Sequence, residues 1–115
     1  MQTDRKLPVN SKKTWLITGA SSGLGFALAQ YVLEQGDRAV LGARSLRAMS
    51  QLVEQYPNTG LAVTLDVTKP EDRAAAVKQA EDRFGGIDVL VNNAGIDFLG
   101  AIEEQEESDY RALSQ

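Results

Sequence analysis

The chain has 115 residues, of which 43% are hydrophobic and 24% are charged, a composition typical of one globular domain rather than of a disordered or fibrous chain. Its formal net charge of −4 argues against a nucleic-acid partner, because nucleic-acid-binding surfaces normally carry a basic excess. The chain has no Cys and no His, which excludes disulfides, thiolate zinc sites and imidazole catalysis, so we expect no metal site.

The first thirteen residues are basic and contain no apolar export segment. Arg5, Lys6, Lys12 and Lys13 lie there, and we interpret residues 1–13 as a flexible basic leader ahead of one domain over residues 14–115. No apolar run in the chain approaches the roughly 20 residues of a membrane span. These features predict a cytoplasmic protein without a membrane partner.

Strand and helix patterns alternate after the leader, as in chains that build parallel β-α-β units. The apolar run at 14–18 predicts the first strand, and residues 39–41, ending at Gly42 and Ala43, predict the second. The first helix is expected to be capped by Gly36 and to bury four residues at helical spacing: Leu24, Leu28, Tyr31 and Val32. Ser45 is expected to cap the second helix, whose apolar side comprises Leu46, Met49, Leu52, Val53 and Tyr56.

The third strand is predicted at residues 61–65 and the fourth at residues 87–91. Between them, Thr68 and Glu71 form a capping-box pattern with Pro70 in the first turn. That helix would end at Gly85 and Gly86 and bury Val77, Ala80 and Phe84, and a last helical pattern begins near Ile102. Right-handed crossovers then predict a doubly wound α/β fold with about four parallel strands in the order 3-2-1-4 and flanking helices.

Residues 18–25 lie where the first strand turns into the first helix, and their glycines have the spacing G-x-x-x-G-x-G. Gly19 would allow a tight turn, and Gly23 and Gly25 would let a pyrophosphate approach backbone N–H groups at the helix N-terminus. The same turn offers hydroxyl donors from Ser21 and Ser22. A P-loop would need a Lys here, so a mononucleotide triphosphate is disfavoured. The alternative is a tight connection without a ligand.

With these motifs the chain resembles the short-chain dehydrogenase/reductase family from residue 13 to residue 115. Residues 18–25 are similar to the family's T-G-x-x-x-G-x-G loop, Asp66 and Val67 to its acidic position after the third strand, and residues 92–95 to its N-N-A-G segment. The resemblance implies a truncated, Rossmann-type NAD(P)-binding domain over residues 14–115. It implies cofactor contacts from Gly19, Ser21, Ser22, Gly23, Leu24, Gly25, Asp66, Val67, Asn93, Ala94 and Gly95.

In that family the glycine loop holds the pyrophosphate, the Asp hydrogen-bonds the adenine amino group, and the N-N-A-G segment lines the cofactor cleft. Each polar residue also has a structural interpretation. Asp66 is a candidate second helix cap beside Thr68, a role compatible with adenine binding. Asn92 and Asn93 are candidates for a turn in which amide side chains bond the nearby main chain.

The end of the second strand favours NADP(H) over NAD(H) as the cofactor. NAD-specific folds place a carboxylate there, whereas this chain has Gly42 and Ala43, then Arg44, with Arg47 one helical turn later. A guanidinium suits the charge and geometry of a 2′-phosphate. The alternative is a solvated Arg at the start of a helix, and Ser22 stands where the family often has a further basic residue.

The family's catalytic pair, a Tyr followed four residues later by a Lys, has no counterpart here. The residues four before the lysines are Gln2, Pro8, Val9, Leu65 and Ala74. We therefore assign no catalytic residue. The resemblance implies the cofactor-binding half of an oxidoreductase that transfers hydride between nicotinamide and a small alcohol or carbonyl substrate. The alternative is a catalytically inert dinucleotide-binding or interaction module, and a Tyr-x-x-x-Lys segment encoded downstream would distinguish the two.

The fourth strand is expected to form an open, apolar edge of the sheet. Unpaired edges of apolar strands favour association between chains. We therefore expect the 115-residue chain to be marginally stable or to self-associate, for example as a homo-oligomer.

Overall fold

In a computed structural model, which describes residues 12–93, four parallel strands form a sheet with helices on both faces. In chain order the elements are β1 (Thr14–Thr18), α1 (Gly23–Glu34), β2 (Arg38–Ala43), α2 (Arg47–Gln55), β3 (Gly60–Thr64), α3 (Pro70–Phe84) and β4 (Val89–Val91). None of the helices within this part of the chain is both long and apolar enough to cross a membrane.

The strand order β3-β2-β1-β4 confirms the predicted doubly wound topology. β1 and β2 form the centre of the described sheet, with Thr14 opposite Arg38 and Thr18 opposite Gly42. β3 and β4 flank them, and both are parallel to their neighbours. All four strands therefore direct their carboxyl ends to the same edge of the sheet.

Side chains alternate across the two central strands and build one apolar cluster on each face. Leu16 of β1 packs with α3 residues such as Val77, while its neighbour Ile17 packs with α1 and α2 residues such as Val32 and Met49. Leu16 and Ile17 are completely buried. Continuous apolar runs such as residues 15–17 are expected of strands that are covered on both faces.

The predicted buried side of α1 is wrong at two positions. Leu24 is 77% exposed and Tyr31 is 59% exposed, whereas α1 buries Gly25, Ala29, Val32 and Leu33. The small residues let the helix backbone lie close to the sheet, which a pattern based on large apolar side chains does not detect. The predicted cap at Gly36 is confirmed: with φ of 91°, it donates to the Leu33 carbonyl at 3.0 Å while Asp37 donates to that of Val32 at 3.2 Å.

Both predicted side-chain caps are wrong. α2 begins after Leu46 rather than after Ser45, and no side chain caps it. α3 begins after Lys69, also without a side-chain cap, with Pro70 at its first position as expected. The hydroxyl of Thr68 donates to the Asp66 carboxylate instead of capping the helix. The predicted end of α3 is confirmed by Gly85, which has a left-handed backbone conformation.

The limits of β1 match the prediction, and those of the other strands differ from it by at most two residues. β2 is longer (38–43), β3 is shifted by one residue (60–64) and β4 is shorter (89–91). Residues 1–11 and 94–115 lie outside the described residues. They include most of the expected leader, Ala94, Gly95 and the helix expected from Ile102, all of which stay predictions.

Candidate functional site

A cleft with a volume of about 320 Å³ opens at the carboxyl ends of the first three strands. Open α/β sheets bind their ligands at this edge. The cleft is lined by Gly19, Ser21, Ala43, Arg44, Leu65, Asp66, Val67 and Thr68. The fold thus brings together five of the residues predicted to contact the cofactor: Gly19, Ser21, Arg44, Asp66 and Val67.

The glycine loop turns sharply out of β1 and returns over the first turn of α1. Gly19 and Gly23 both have φ of 62°, a left-handed conformation that side chains with a Cβ rarely adopt. A Cβ on Gly25 would lie 2.3 Å from the Gly19 carbonyl oxygen and 2.7 Å from Nδ2 of Asn93. The first two glycines therefore satisfy a conformational requirement, and the third satisfies a steric one.

The first turn of α1 presents backbone N–H groups that the helix itself does not use. Ser22 is its N-cap residue, with an extended backbone, and its side chain makes no capping hydrogen bond. Leu24 extends from this turn with 77% of its surface exposed. This end of α1 therefore offers main-chain donors and the positive end of the helix dipole to a ligand.

The side chains of the two asparagines after β4 form hydrogen bonds with β1 and the glycine loop. Asn93 donates from Nδ2 to the Gly19 carbonyl at 3.3 Å, and Oδ1 of Asn92 accepts a hydrogen bond from the Thr18 hydroxyl at 3.1 Å. Asn93 is exposed and does not line the cleft. Asn93 thus bonds the main chain of a distant loop rather than of its own turn, and Asn92 bonds a side chain. Both asparagines connect the segment after β4 to β1 and the glycine loop.

Asp66 forms a tight turn with Thr68 at the end of β3. Its Oδ1 accepts the Thr68 backbone N–H at 3.0 Å and the Thr68 hydroxyl at 2.6 Å. The Thr68 side-chain and backbone hydrogen bonds lower the pKa of Asp66, with further help from the positive charges of Lys69 and Arg44 against an opposing effect of burial. Asp66 is therefore an ionised acceptor in an Asx-type turn, and it does not cap α3.

Arg44 lies on the cleft wall that follows β2. It is exposed, and its charge is close enough to lower the pKa of Asp66. A Cβ on Gly42 would lie 2.6 Å from Cδ2 of Leu65, so the glycine lets Leu65 pack beside the strand. Arg47, the first residue of α2, is exposed and does not line the cleft.

Two residues in the first turns of α3 contact the Asp66 turn, and neither was predicted from the sequence. Oδ2 of Asp72 accepts the Asp66 backbone N–H at 2.9 Å, and the Arg73 guanidinium donates to the Val67 carbonyl. The available signal was the position of a charged pair early in a helix that directly follows a candidate ligand-binding residue.

Taken together, the cleft combines main-chain donors, a cation and an ionised acceptor. Residues 12–93 contain no group of three or more side chains placed to bind a metal ion. This set of groups suits a ligand that has phosphates at one end and a hydrogen-bonding ring at the other.

Comparison with known proteins gives the same family as the motifs. The model of the short chain dehydrogenase family matches residues 13–115. The chain is 41% identical over 100 residues to 3-oxoacyl-[acyl-carrier-protein] reductase FabG of Vibrio cholerae. That match covers 84% of this chain and 41% of that protein. The chain spans 37% and 41% of the length of the first curated relatives that it matches.

Two solved structures are similar in both sequence and fold. L-Sorbose reductase from Gluconobacter frateurii, complexed with NADPH and L-sorbose, is 40% identical with a TM-score of 0.65, over 74% of this chain and 34% of that one. The 3-ketoacyl-(acyl-carrier-protein) reductase from Brucella melitensis, complexed with NADH, is 39% identical with a TM-score of 0.68, over 73% and 34%. The family model covers most of the chain, and this chain therefore belongs to the short-chain dehydrogenase family.

Proposed function

We propose that the chain is the cofactor-binding part of an NADP(H)-dependent oxidoreductase whose whole protein transfers hydride between nicotinamide and a small alcohol or carbonyl compound. The nicotinamide dinucleotide supplies the hydride chemistry when it is bound. The residues of this chain bind and orient it. The observation that carries the proposal is the cleft in which the glycine loop, Arg44 and Asp66 meet.

The first turn of α1 would hold the pyrophosphate. Its backbone N–H groups are not used by a side-chain cap, and the left-handed Gly23 has no atom within 4 Å of a Cβ position. Negative charge is favoured at the N-terminus of a helix. Ser21, at the mouth of the same loop, adds a hydroxyl within the cleft.

The turn after β3 would hold the adenine ring. Asp66 is an ionised acceptor suited to the adenine amino group, because its Oδ1 is already engaged by Thr68 whereas its Oδ2 has no hydrogen bond within residues 12–93. Leu65 and Val67 supply apolar surface beside it. An acceptor next to apolar surface is the usual design of a site for a heterocyclic base.

Arg44 would bind the 2′-phosphate and so select NADP(H). It stands at the end of β2, where a carboxylate would favour the ribose hydroxyls of NAD(H), and the neighbouring Ala43 is small and buried. The similar solved structures include one complexed with NADPH and one complexed with NADH. Family membership alone does not choose between the cofactors, so the choice rests on Arg44.

Arg44→Asp tests this assignment. Titration of the 115-residue chain with NADPH and with NADH by calorimetry gives the ratio of the two dissociation constants. We expect Arg44→Asp to reduce the ratio Kd(NADH)/Kd(NADPH) by roughly tenfold or more, because a charge-assisted contact of about 1.5–3 kcal/mol with the 2′-phosphate becomes a repulsion. Lys78→Asp makes the same charge reversal at an exposed site on α3 and should leave the ratio unchanged. An unchanged ratio in Arg44→Asp would remove Arg44 from the site.

The catalytically inert module remains the second candidate, and the absence of a Tyr four residues before any Lys favours it for this chain alone. It predicts dinucleotide binding without oxidation of NADPH in the presence of carbonyl compounds. The cytoplasmic location, the leader at residues 1–13 and self-association through the β4 edge also stay predictions. Sedimentation of the chain tests the last of these, and a monodisperse, cooperatively folding monomer would contradict it.

A further inference from the structure

The turn that carries Asp66 is held from outside by α3. Asp72 accepts the backbone N–H of Asp66 at 2.9 Å, and Arg73 donates to the carbonyl of Val67. The two contacts thus engage the backbone N–H of Asp66 and the backbone carbonyl of Val67. Thr68 completes the arrangement through its two hydrogen bonds to Asp66. The backbone on either side of the Asp66 side chain is therefore fixed by two consecutive residues of one helix.

Both residues that hold the turn are charged, and their charges are opposite. Asp72 and Arg73 are both partly buried. Nε of Arg73 is buried without a hydrogen-bond partner, an unfavourable condition for a charged donor group. Because the two charges are opposite, the pair also adds no net charge beside Asp66.

We propose that Asp72 and Arg73 are positioning residues that set the direction of the Asp66 carboxylate and thereby the preference of the site for adenine over other purine bases. The inference rests on the proposed function, since it requires a purine at Asp66. A rigid carboxylate accepts from an amino group at one place on the ring and repels a carbonyl oxygen at that place. Hypoxanthine carries such an oxygen where adenine has its amino group.

The test compares NADPH with its reduced hypoxanthine analogue, each titrated into the 115-residue chain by calorimetry. The wild-type chain should bind the adenine form more tightly by roughly tenfold or more, as expected for a hydrogen bond exchanged for a repulsion with a charged group. Asp72→Ala should reduce this preference to about two- to threefold. Asp72→Asn keeps an oxygen acceptor for the Asp66 N–H and should therefore keep the wild-type preference for the adenine form.

Two further variants separate positioning from folding. Arg73→Met keeps the length and packing of the side chain but removes the donor to Val67, and it should reduce the adenine preference even if Asp72→Ala fails to fold. Asp82→Ala changes an exposed residue of the same helix that forms an ion pair with Lys78 at 3.3 Å. It should leave the preference unchanged. Circular dichroism of each variant establishes that it is folded.

The outcomes distinguish the two proposals. If a folded Asp72→Ala or Arg73→Met keeps the wild-type preference, or loses affinity for both analogues equally, the two residues are structural and the positioning role is overturned. If the wild-type chain binds both analogues with equal affinity, the positioning role is also overturned while dinucleotide binding stands. If the wild-type chain binds neither analogue, the proposed function fails and this inference fails with it.

Discussion

The two ends of the same four strands differ in the polar groups that they leave for a ligand: the carboxyl ends combine hydrogen-bonded turns with exposed groups that line the candidate cleft, whereas the amino ends do not. At the amino ends, polar groups bond one another: Asp88 accepts the Thr14 N–H at 2.8 Å and donates its own N–H to the Thr14 carbonyl at 2.8 Å. Arg38 donates to the Thr14 hydroxyl at 2.8 Å, and Trp15 donates to Asp37 at 3.0 Å. At the carboxyl ends, the first turn of α1 has no side-chain cap and Arg44 is exposed.

Polar groups at the amino ends stabilise the fold, and exposed groups at the carboxyl ends are available to bind a ligand. Buried polar groups that bond one another stabilise the fold, and groups without an internal partner are available to a ligand. Substitutions at the amino ends should therefore change the free energy of unfolding without changing affinity. Substitutions at the carboxyl ends should change affinity first.

The largest effect is expected at Gly25, where a Cβ would meet the Gly19 carbonyl oxygen at 2.3 Å. Gly25→Ala should displace the loop, lower the free energy of unfolding by about 1–3 kcal/mol, and weaken dinucleotide binding roughly a hundredfold, or about 3 kcal/mol. Urea denaturation and calorimetric titration measure the two effects.

Gly85→Ala is the matched control for Gly25→Ala. Gly85 has φ of +88° with no atom within 4 Å of its Cβ position, and it ends α3 away from the cleft. The left-handed conformation should cost about 1–2 kcal/mol of stability with no change in affinity. Equal losses of affinity in the two variants would contradict the steric role of Gly25.

The next effect is expected at the opposite end of the sheet, at Asp88. Asp88→Ala leaves the N–H of Thr14 without its acceptor, and since Thr14 is 1% exposed, the free energy of unfolding should fall by about 1–3 kcal/mol. Asp88→Asn retains an acceptor and should lose less. Both variants should keep the wild-type affinity for NADPH, and a tenfold loss would remove the distinction between the two ends.

A smaller effect concerns pH and the Asp66 turn. The pKa of Asp66 is lower in the folded chain because Thr68 donates two hydrogen bonds to it. A lowered folded pKa contributes stability above the unfolded value of about 3.9, and this contribution is lost as the pH falls through the folded value. Thr68→Val should raise the Asp66 pKa towards its ordinary value and flatten the acid dependence of stability. NMR titration of the carboxyl carbon measures the Asp66 pKa. An unchanged pKa in Thr68→Val would contradict the role of the Thr68 hydroxyl in lowering it.

The smallest effect is expected away from both ends, on the outer surface of α3. Lys78 and Asp82 form an ion pair at 3.3 Å, but their side chains are 74% and 65% exposed. Asp82→Asn should change the free energy of unfolding by less than about 0.5 kcal/mol, because solvent screens exposed pairs. Chemical denaturation provides this baseline, and a loss as large as that of Asp88→Ala would undermine the comparison.

The sequence predicted the central part of the fold well, because its signals are local and strong. The run at 14–18 matches β1, and right-handed crossovers gave the strand order. The buried side of α1 was wrong because Gly25 and Ala29 pack through their small size, and hydrophobic periodicity is dominated by large residues such as Leu24 and Tyr31.

The candidate site was predictable where residues follow a strand directly. Gly19, Arg44 and Asp66 each come directly after a strand or within two residues of its end, and all three line the cleft. The roles of Thr68 and Asp72 were not predictable, because a hydroxyl and a carboxylate near a helix start each have several acceptors and donors within reach. The tertiary path of the turn decides which of these bonds form.

The most direct test of the account follows the backbone amides of the labelled chain by two-dimensional ¹⁵N NMR as NADPH is added. We predict that the amides of the glycine loop, Arg44 and Asp66 to Thr68 shift, and that those of Thr14, Arg38 and Asp88 do not. Shifts confined to the amino ends of the strands, or no shifts at saturating NADPH, would contradict the assignment of the cleft as the cofactor site.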